Sequence, residues 1–254
     1  MVKAIMHGCN GKMGRMITSL IKDDPEIEIV AGIDTYTDVP NEYPVFETMG
    51  ECDVPADVVI DFSNAAAVDE LLEICGAGKI PVVLCTTGLS EKQEELLLRT
   101  AEHTAILKSA NMSLGINAVM DLLRKAVKVF YPAGYDIEII EKHHNQKLDA
   151  PSGTALALAD VMNEEMNEIY SYQFDRTKER KKRKRDEIGI SAVRGGNIVG
   201  EHEVLFAGTD EVIEIRHTAT SRAVFGKGAI EAAKFLSGKK PGLYSMRDVI
   251  EAKE

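Results

Sequence analysis

The sequence predicts an α/β protein: a parallel-sheet domain plus a smaller α+β domain. Three observations carry this. Short apolar runs alternate with helical stretches over roughly the first 110 residues. A glycine-rich turn follows the first run, and an acid ends the second. From Ile188 to Thr218 the pattern changes to successive alternating strands without intervening helices.

Val2 to His7 (VKAIMH) reads as a buried strand, and Gly8 to Gly14 (GCNGKMG) as the turn after it. A helix is expected over Arg15 to Lys22, ending before Asp23-Asp24-Pro25, and a second strand over Ile27 to Ile33. Asp34 then stands 20 residues beyond Gly14. Glycines let a backbone turn tightly against a pyrophosphate, a helix N-terminus favours its charge, and an acid at this distance accepts hydrogen bonds from a ribose diol. The spacing is G-x-x-G-x-x-G, with Asn10 where the second glycine of the common pattern stands. This is a Rossmann-type signal. Further strands are expected over Ala56 to Phe62, Ile80 to Leu84 and Thr104 to Leu107, with helices over Ala65 to Cys75 and from a Ser90 cap to about Glu102. Parallel strands with right-handed crossovers put Gly8–Gly14, Asp34, Cys85–Gly88 and Ser109–Met112 along one sheet edge.

Leu114 to Phe130 reads as a long apolar helix leading into the second domain. There the densest chemistry of the chain is found: Glu141 to Ala155, EKHHNQKLDAPSGTA, between an expected strand over Tyr135 to Ile140 and an expected helix over Ala155 to Ile169. That arrangement predicts His143, His144 and Lys147 on a loop, with Ser152 or Thr154 capping the helix after Pro151. Free N–H groups at a helix start beside a lysine hold a carboxylate, and a histidine of ordinary pKa about 6.5 is a ready proton donor. Strands over Ile188 to Val193, Ile198 to Phe206 and Glu211 to Thr218 join Tyr135 to Ile140 in a mixed sheet of about four strands, one face of which is left for subunit contact. A helix from Arg222 to Leu236 returns to the first domain. The expected domains are 1–113 plus 222–254, binding dinucleotide, and 114–221, binding substrate. The basic run Lys178 to Arg185 (KERKKRKR) has no interleaved aromatics and reads as a solvated, mobile loop or edge.

The totals exclude several classes. With 254 residues, 44% apolar and 28% charged, the chain has ordinary soluble composition. A net charge of −11 argues against a general nucleic-acid binder. Cys9, Cys52, Cys75 and Cys85 form no C-x-x-C pair, and no metal-ligand spacing accompanies the histidines. No stretch has signal-peptide or membrane-spanning character, so a cytoplasmic location is expected.

The segment HHNQKLDAPSGTA resembles the signature of the dihydrodipicolinate (4-hydroxy-tetrahydrodipicolinate) reductases of lysine and diaminopimelate biosynthesis. GCNGKMG, CTTG at Cys85–Gly88, SANMSLGIN at Ser109–Asn117, RGGNIVGEH at Arg194–His202 and SGKKPGLYSMRDVI extend the likeness in order along nearly the whole chain. The resemblance implies hydride transfer from NADH or NADPH to a cyclic dicarboxylate imine. It implies His143 as proton donor, Lys147 as second catalytic residue and carboxylate ligand, and His144, Ser152, Gly153, Thr154 and Thr87 as substrate contacts. Gly8, Cys9, Asn10, Gly11, Lys12, Met13, Asp34, Cys85, Thr86, Thr87, Ser109, Ala110, Asn111 and Met112 take the cofactor positions, and the expected assembly is a homotetramer. Two departures stand out: Cys85 replaces a glycine common before Thr-Thr, and Thr35 follows Asp34 where some relatives carry arginine. An acid without that arginine repels a 2′-phosphate and favours NADH. Two rivals keep the glycine turn but have no need of the His-His, Lys and Ser-Gly-Thr set: an amino-acid dehydrogenase and a dinucleotide sensor.

Overall fold

The computed structural model describes residues 1–109, 111–178 and 180–253. In chain order the elements are β1 (Val2–His7), α1 (Lys12–Ile21), β2 (Ile27–Ile33), β3 (Val45–Phe46), β4 (Val58–Asp61), α2 (Val68–Gly78), β5 (Val82–Leu84), α3 (Glu91–Ala101) and β6 (Ala105–Lys108). They continue with α4 (Leu114–Phe130), β7 (Asp136–His143), α5 (Gly153–Glu165), β8 (Ser171–Gln173), β9 (Glu187–Arg194), β10 (Gly200–Ala207), β11 (Val212–Ala219), α6 (Ala223–Leu236), β12 (Gly242–Tyr244) and α7 (Met246–Glu251). The chain divides into two compact units, Met1–Leu114 with Ala223–Glu254, and Gly115–Arg222.

The first unit holds a seven-stranded sheet in the order β12-β6-β5-β4-β1-β2-β3. Every pairing in it is parallel. Adjacent residues are buried on opposite faces: Met6 and Ile60 pack with α1 and α6, whereas Ile5 and Val59 pack with α2 and α3. A parallel sheet covered on both faces explains strands that are apolar at every position rather than every second one. Strand order reverses at β1, which lies between β4 and β2. That reversal opens a crevice beyond the carboxyl ends of β1 and β4. Helix α6 is tied to the turn between α1 and β2 by Lys234, which donates to Asp24 at 2.7 Å and to Glu26 at 2.8 Å.

Details of the first unit differ from the sequence-based expectation. Helix α1 begins at Lys12, not Arg15; Gly14, a poor helix former, sits inside it because packing overrides propensity there. Residues 65–67 form a 3-10 turn, and α2 proper runs from Val68 to Gly78, stopped by a left-handed Lys79. The strands β3 and β12 have 2 and 3 residues, too few to show a periodicity.

The second unit holds a sheet of five strands, β11-β10-β7-β9-β8, rather than about four; the addition is Ser171–Gln173, parallel to β9. β7 runs antiparallel to β10 and parallel to β9, which makes the sheet mixed. One face carries the core with α4 and α5, through Ile139, Ile190, Val204 and Phe206 against Leu123, Val127 and Leu158. The basic run is only partly solvated. Arg183 donates to the carbonyls of Ile137 and Glu187 and pairs with Asp136, and Arg185 stacks 5.1 Å from the Tyr131 ring. Glu179 lies outside the described residues.

Candidate active site

Side chains on a strand alternate between faces, so a strand lying over a core buries every second residue. Along β7 those residues are Ile137, Ile139, Glu141 and His143. Register pairs Ile137 with Phe206, Ile139 with Val204 and Glu141 with His202. On β11, His217 lies opposite His202. One face of one sheet is therefore apolar core over one half and a polar row, Glu141, His143, His202 and His217, over the other. His143 belongs to the end of β7, not to the loop expected from the sequence. The strand continues three residues past Ile140 because Glu141 and His143 keep the period of two; their polarity hid the signal.

A buried carboxylate is costly unless every lone pair is used. Glu141 is fully buried and is satisfied on both oxygens. Arg194 clamps it with two bonds of 2.7 Å, the Ser152 N–H donates at 2.9 Å, and His143 Nδ1 lies 2.6 Å away. Burial alone would raise this carboxyl, but the Arg194 guanidinium, then the His143 ring and the Ser152 N–H, hold it below the ordinary carboxylate value.

Ser152 also caps α5, accepting from the Ala155 N–H at 3.2 Å, and its Oγ lies 3.1 Å from His202 Nε2. Burial, then the neighbouring His143 charge, pushes His202 down to about 4, so its ring is neutral at working pH. Gly153 and Thr154 form the first turn of α5. Lys147 lies on the connecting loop and pairs with Asp149 at 2.8 Å. The Asp149 carboxyl is held low first by Lys147 and further by the Gly153 N–H. The Asp149 carboxylate is thus paired with Lys147 beside the start of α5, surroundings that suit a carboxylate. His144 is half-buried, its Nε2 3.5 Å from Arg222 Nη2.

The first unit carries the other chemistry at the ends of β1 and β4. Gly8 has φ +79, and a Cβ on it would lie 2.9 Å from the Phe62 carbonyl carbon. A Cβ on Gly14 would lie 2.6 Å from the Cys9 oxygen and nearer still to that of Gly8. The turn is folded tightly onto α1, whose N-cap Gly11 provides no side-chain cap and whose first turn has no acid. The N–H groups at the start of α1 fit a pyrophosphate; those of Gly8, Cys9, Asn10 and Gly11 donate to Ile33, Asp34 and Gly8. Asp34 accepts from the Asn10 N–H at 2.9 Å and the Tyr36 N–H at 3.1 Å. The Asn10 side chain donates to the Tyr36 carbonyl at 2.6 Å and accepts from Asn41 at 3.0 Å. An asparagine in place of the usual second glycine therefore ties the turn to the loop that carries the acid. Gly8, Gly11, Asp34, Thr35 and Ser63 line a groove of about 600 Å³ there.

Cys9 points into the core, its thiol pushed up to about 11 by burial and by Asp34, and it contributes backbone to the turn. Lys12 is exposed and Met13 half-buried in the first turn of α1. Cys85, Thr86, Thr87 and Ser109 line a second recess of about 430 Å³. Asn111 accepts from the Ser113 N–H at 2.8 Å, and Met112 is buried in the core. Ala110 lies outside the described residues. Five residues to which sequence reasoning gave no role belong to these sites: Glu141, Arg194 and His202, and a buried His7–Asp61 pair of 2.7 Å beside the glycine turn. Burial would raise Asp61, but His7, then Ser63 and Thr86, hold it low.

Gly14→Ala is expected to destabilise the first unit by about 1–3 kcal/mol, the usual cost of overpacking, and to weaken NADH binding at least about tenfold. Thermal melting followed by circular dichroism and a fluorescence titration with NADH measure both. Unchanged NADH affinity would remove the turn from the cofactor site.

Fold and site together define a class: an oxidoreductase built on a nucleotide-binding parallel sheet, of the kind that works with a nicotinamide cofactor. Family models sharpen this. "Dihydrodipicolinate reductase, N-terminus" matches residues 2–112, and "Dihydrodipicolinate reductase, C-terminus" matches residues 115–250. The chain belongs to the dihydrodipicolinate reductase family. It is 52% identical to the 4-hydroxy-tetrahydrodipicolinate reductase of Caldanaerobacter subterraneus subsp. tengcongensis, over 99% of both chains. It is 49% identical to that of Clostridium novyi, over 100% of both. Among solved structures, a dipicolinate-bound dihydrodipicolinate reductase from Paenisporosarcina sp. TG-14 superimposes with a TM-score of 0.81 at 25% identity, covering 98% of this chain and 99% of that one.

Proposed function

We propose that this chain reduces 4-hydroxy-tetrahydrodipicolinate to tetrahydrodipicolinate with NADH or NADPH, in lysine and diaminopimelate biosynthesis. The observation that carries the reading is the cradle formed by Lys147 and the start of α5, adjoining His143 and already holding the Asp149 carboxylate. A bound nicotinamide supplies the hydride. Lys147, with the Gly153 and Thr154 end of α5, holds a substrate carboxylate in place of Asp149; His144 adds a polar contact. His143 donates the proton that quenches the electron density left on the ring carbon beside the reduced one. Gly8 to Met13 hold the pyrophosphate and Asp34 the ribose diol. Cys85 to Thr87 and Ser109 to Met112 serve the nicotinamide half. The assembly is a homotetramer joined through the outer face of the second unit's sheet, and the location is cytoplasmic.

NADH oxidation, with substrate made in place by the preceding synthase from pyruvate and aspartate semialdehyde, tests the reaction. A protein that binds NADH yet leaves it unoxidised removes the substrate assignment.

NADH is the preferred cofactor, because the Asp34 carboxylate, held by the Asn10 and Tyr36 N–H groups, repels a 2′-phosphate and Thr35 offers no charge to oppose it. Asp34→Ser is expected to raise the NADPH-to-NADH ratio of kcat/KM at least about tenfold, the worth of one charge-assisted hydrogen bond. Equal kcat/KM with both cofactors in the unaltered protein would overturn the preference.

A further inference from the structure

The reading of His143 as proton donor, on which this inference rests, leaves Glu141 unused. Glu141 is two residues earlier on the same face of β7 and fully buried. Both of its oxygens accept from groups that can only donate: Arg194 at 2.7 Å on each, and the Ser152 N–H at 2.9 Å on Oε1. The carboxylate is therefore ionised, and the proton in its 2.6 Å contact with His143 belongs to Nδ1. A ring that carries hydrogen on Nδ1 has only Nε2 left to exchange one.

The surroundings of Nε2 agree. A Cβ on Gly200 would lie 3.2 Å from it, so β10 approaches this nitrogen closely at a glycine. The ring is flanked edge-on by His202 at 5.1 Å. His202 is neutral, and Arg194 balances the charge of Glu141.

We propose that Glu141, locked by Arg194 and the start of α5, is a positioning residue that sets the tautomer and orientation of His143, so that the proton is delivered from Nε2. In the step, the Nε2–H bond breaks and a C–H bond forms at the substrate carbon made electron-rich by hydride addition. His143 is left as the neutral Nδ1–H tautomer and recovers a proton from water. Glu141 stays ionised throughout and touches no substrate.

The test is Glu141→Gln. Its amide oxygen at the Oε1 position can still accept from Arg194 Nη2 and the Ser152 N–H, while its NH₂ group, facing Nδ1 in place of Oε2, reverses the tautomer and gives up the Arg194 Nη1 bond. The expected result is a fall in kcat of about 100-fold, the upper range for losing such a supporting hydrogen bond, with KM for NADH within about twofold. In ¹⁵N-imidazole spectra of the neutral ring, the unprotonated nitrogen is expected to be Nε2 in the unaltered protein and Nδ1 in the variant. In a His143→Gln background the same substitution is expected to add no further loss, because its effect passes through His143. An equal loss in both backgrounds, or an unchanged tautomer, overturns the inference and leaves Glu141 a structural partner of Arg194. If Glu141→Gln does not fold, Glu141→Asp keeps the charge one methylene short. It is then expected to keep the Nδ1–H tautomer and lose about tenfold in kcat, and full activity would overturn the inference. Full activity of His143→Gln alone would instead sink the proton-donor reading and leave the Glu141 geometry untouched.

Discussion

His143→Gln is expected to lower kcat by about 10²–10⁴, the range for removing a general acid, with the KM for NADH little changed. Lys147→Ala is expected to lower kcat/KM for the dicarboxylate substrate by about 100-fold, since a charge-assisted bond to a carboxylate contributes about 1.5–3 kcal/mol. Both expectations follow from the cradle. Lys147 is held by Asp149, whose side chain is 56% exposed. An exposed pair of this kind contributes at most about 1 kcal/mol, so a substrate carboxylate bound at the start of α5 displaces Asp149 easily. Steady-state NADH oxidation, with melting curves as the folding control, gives the answer. If both folded variants match the unaltered protein, this loop is not where reduction takes place.

Acidification is expected to weaken the second unit between pH 6.5 and about 4, through His202. Its folded pKa is depressed from 6.5 to about 4 by burial. In that window the unfolded chain binds a proton that the folded one refuses, so stability falls as pH falls. The full loss is about 3 kcal/mol, and His217, depressed in the same direction by burial, adds to it. The buried carboxylate Glu141 acts in a lower window, because its stabilisation is complete above its unfolded value of 4.5 and is lost only below it. Urea unfolding followed by circular dichroism at pH 7, 5.5 and 4.5 measures the slope. In His202→Gln, which keeps an acceptor for the Ser152 hydroxyl, the slope is expected to flatten. Parallel profiles for the two proteins would show that His202 is not the group responsible.

Much of the first unit was legible because its signals are local. β1 and β2 have the bounds that their apolar runs indicate, and Ser90 caps α3 as expected, with Gln93 completing a capping box; in the second unit α4 likewise has the bounds its periodicity indicates. The glycine turn was legible from its spacing after β1; Gly14 answers to the carbonyls of Gly8 and Cys9 close by in the chain, whereas Gly8 answers to Phe62 on the neighbouring strand end, a limit that only the fold shows. The short strands β3 and β12 were not, since two or three residues become a strand only when a neighbouring strand offers hydrogen bonds. β7 was cut short at Ile140 for a different reason. A buried Glu and His look like loop residues until Arg194, Ser152 and His202 are seen to satisfy them.

The sequence by itself determined the alternation of strands and helices, the nucleotide turn with its acid, and the cluster from His143 to Thr154, because periodicity, capping and turn chemistry act over a few residues. Only the tertiary structure decided which groups surround His143. Glu141, Arg194, His202 and His217 come from β7, β9, β10 and β11, and they meet through strand register. Register is set by burying one apolar face along the whole sheet. A slip of one residue would turn Glu141 and His143 to the opposite face, so the packing of Ile137, Ile139, Val204 and Phe206 is what holds the polar row in place.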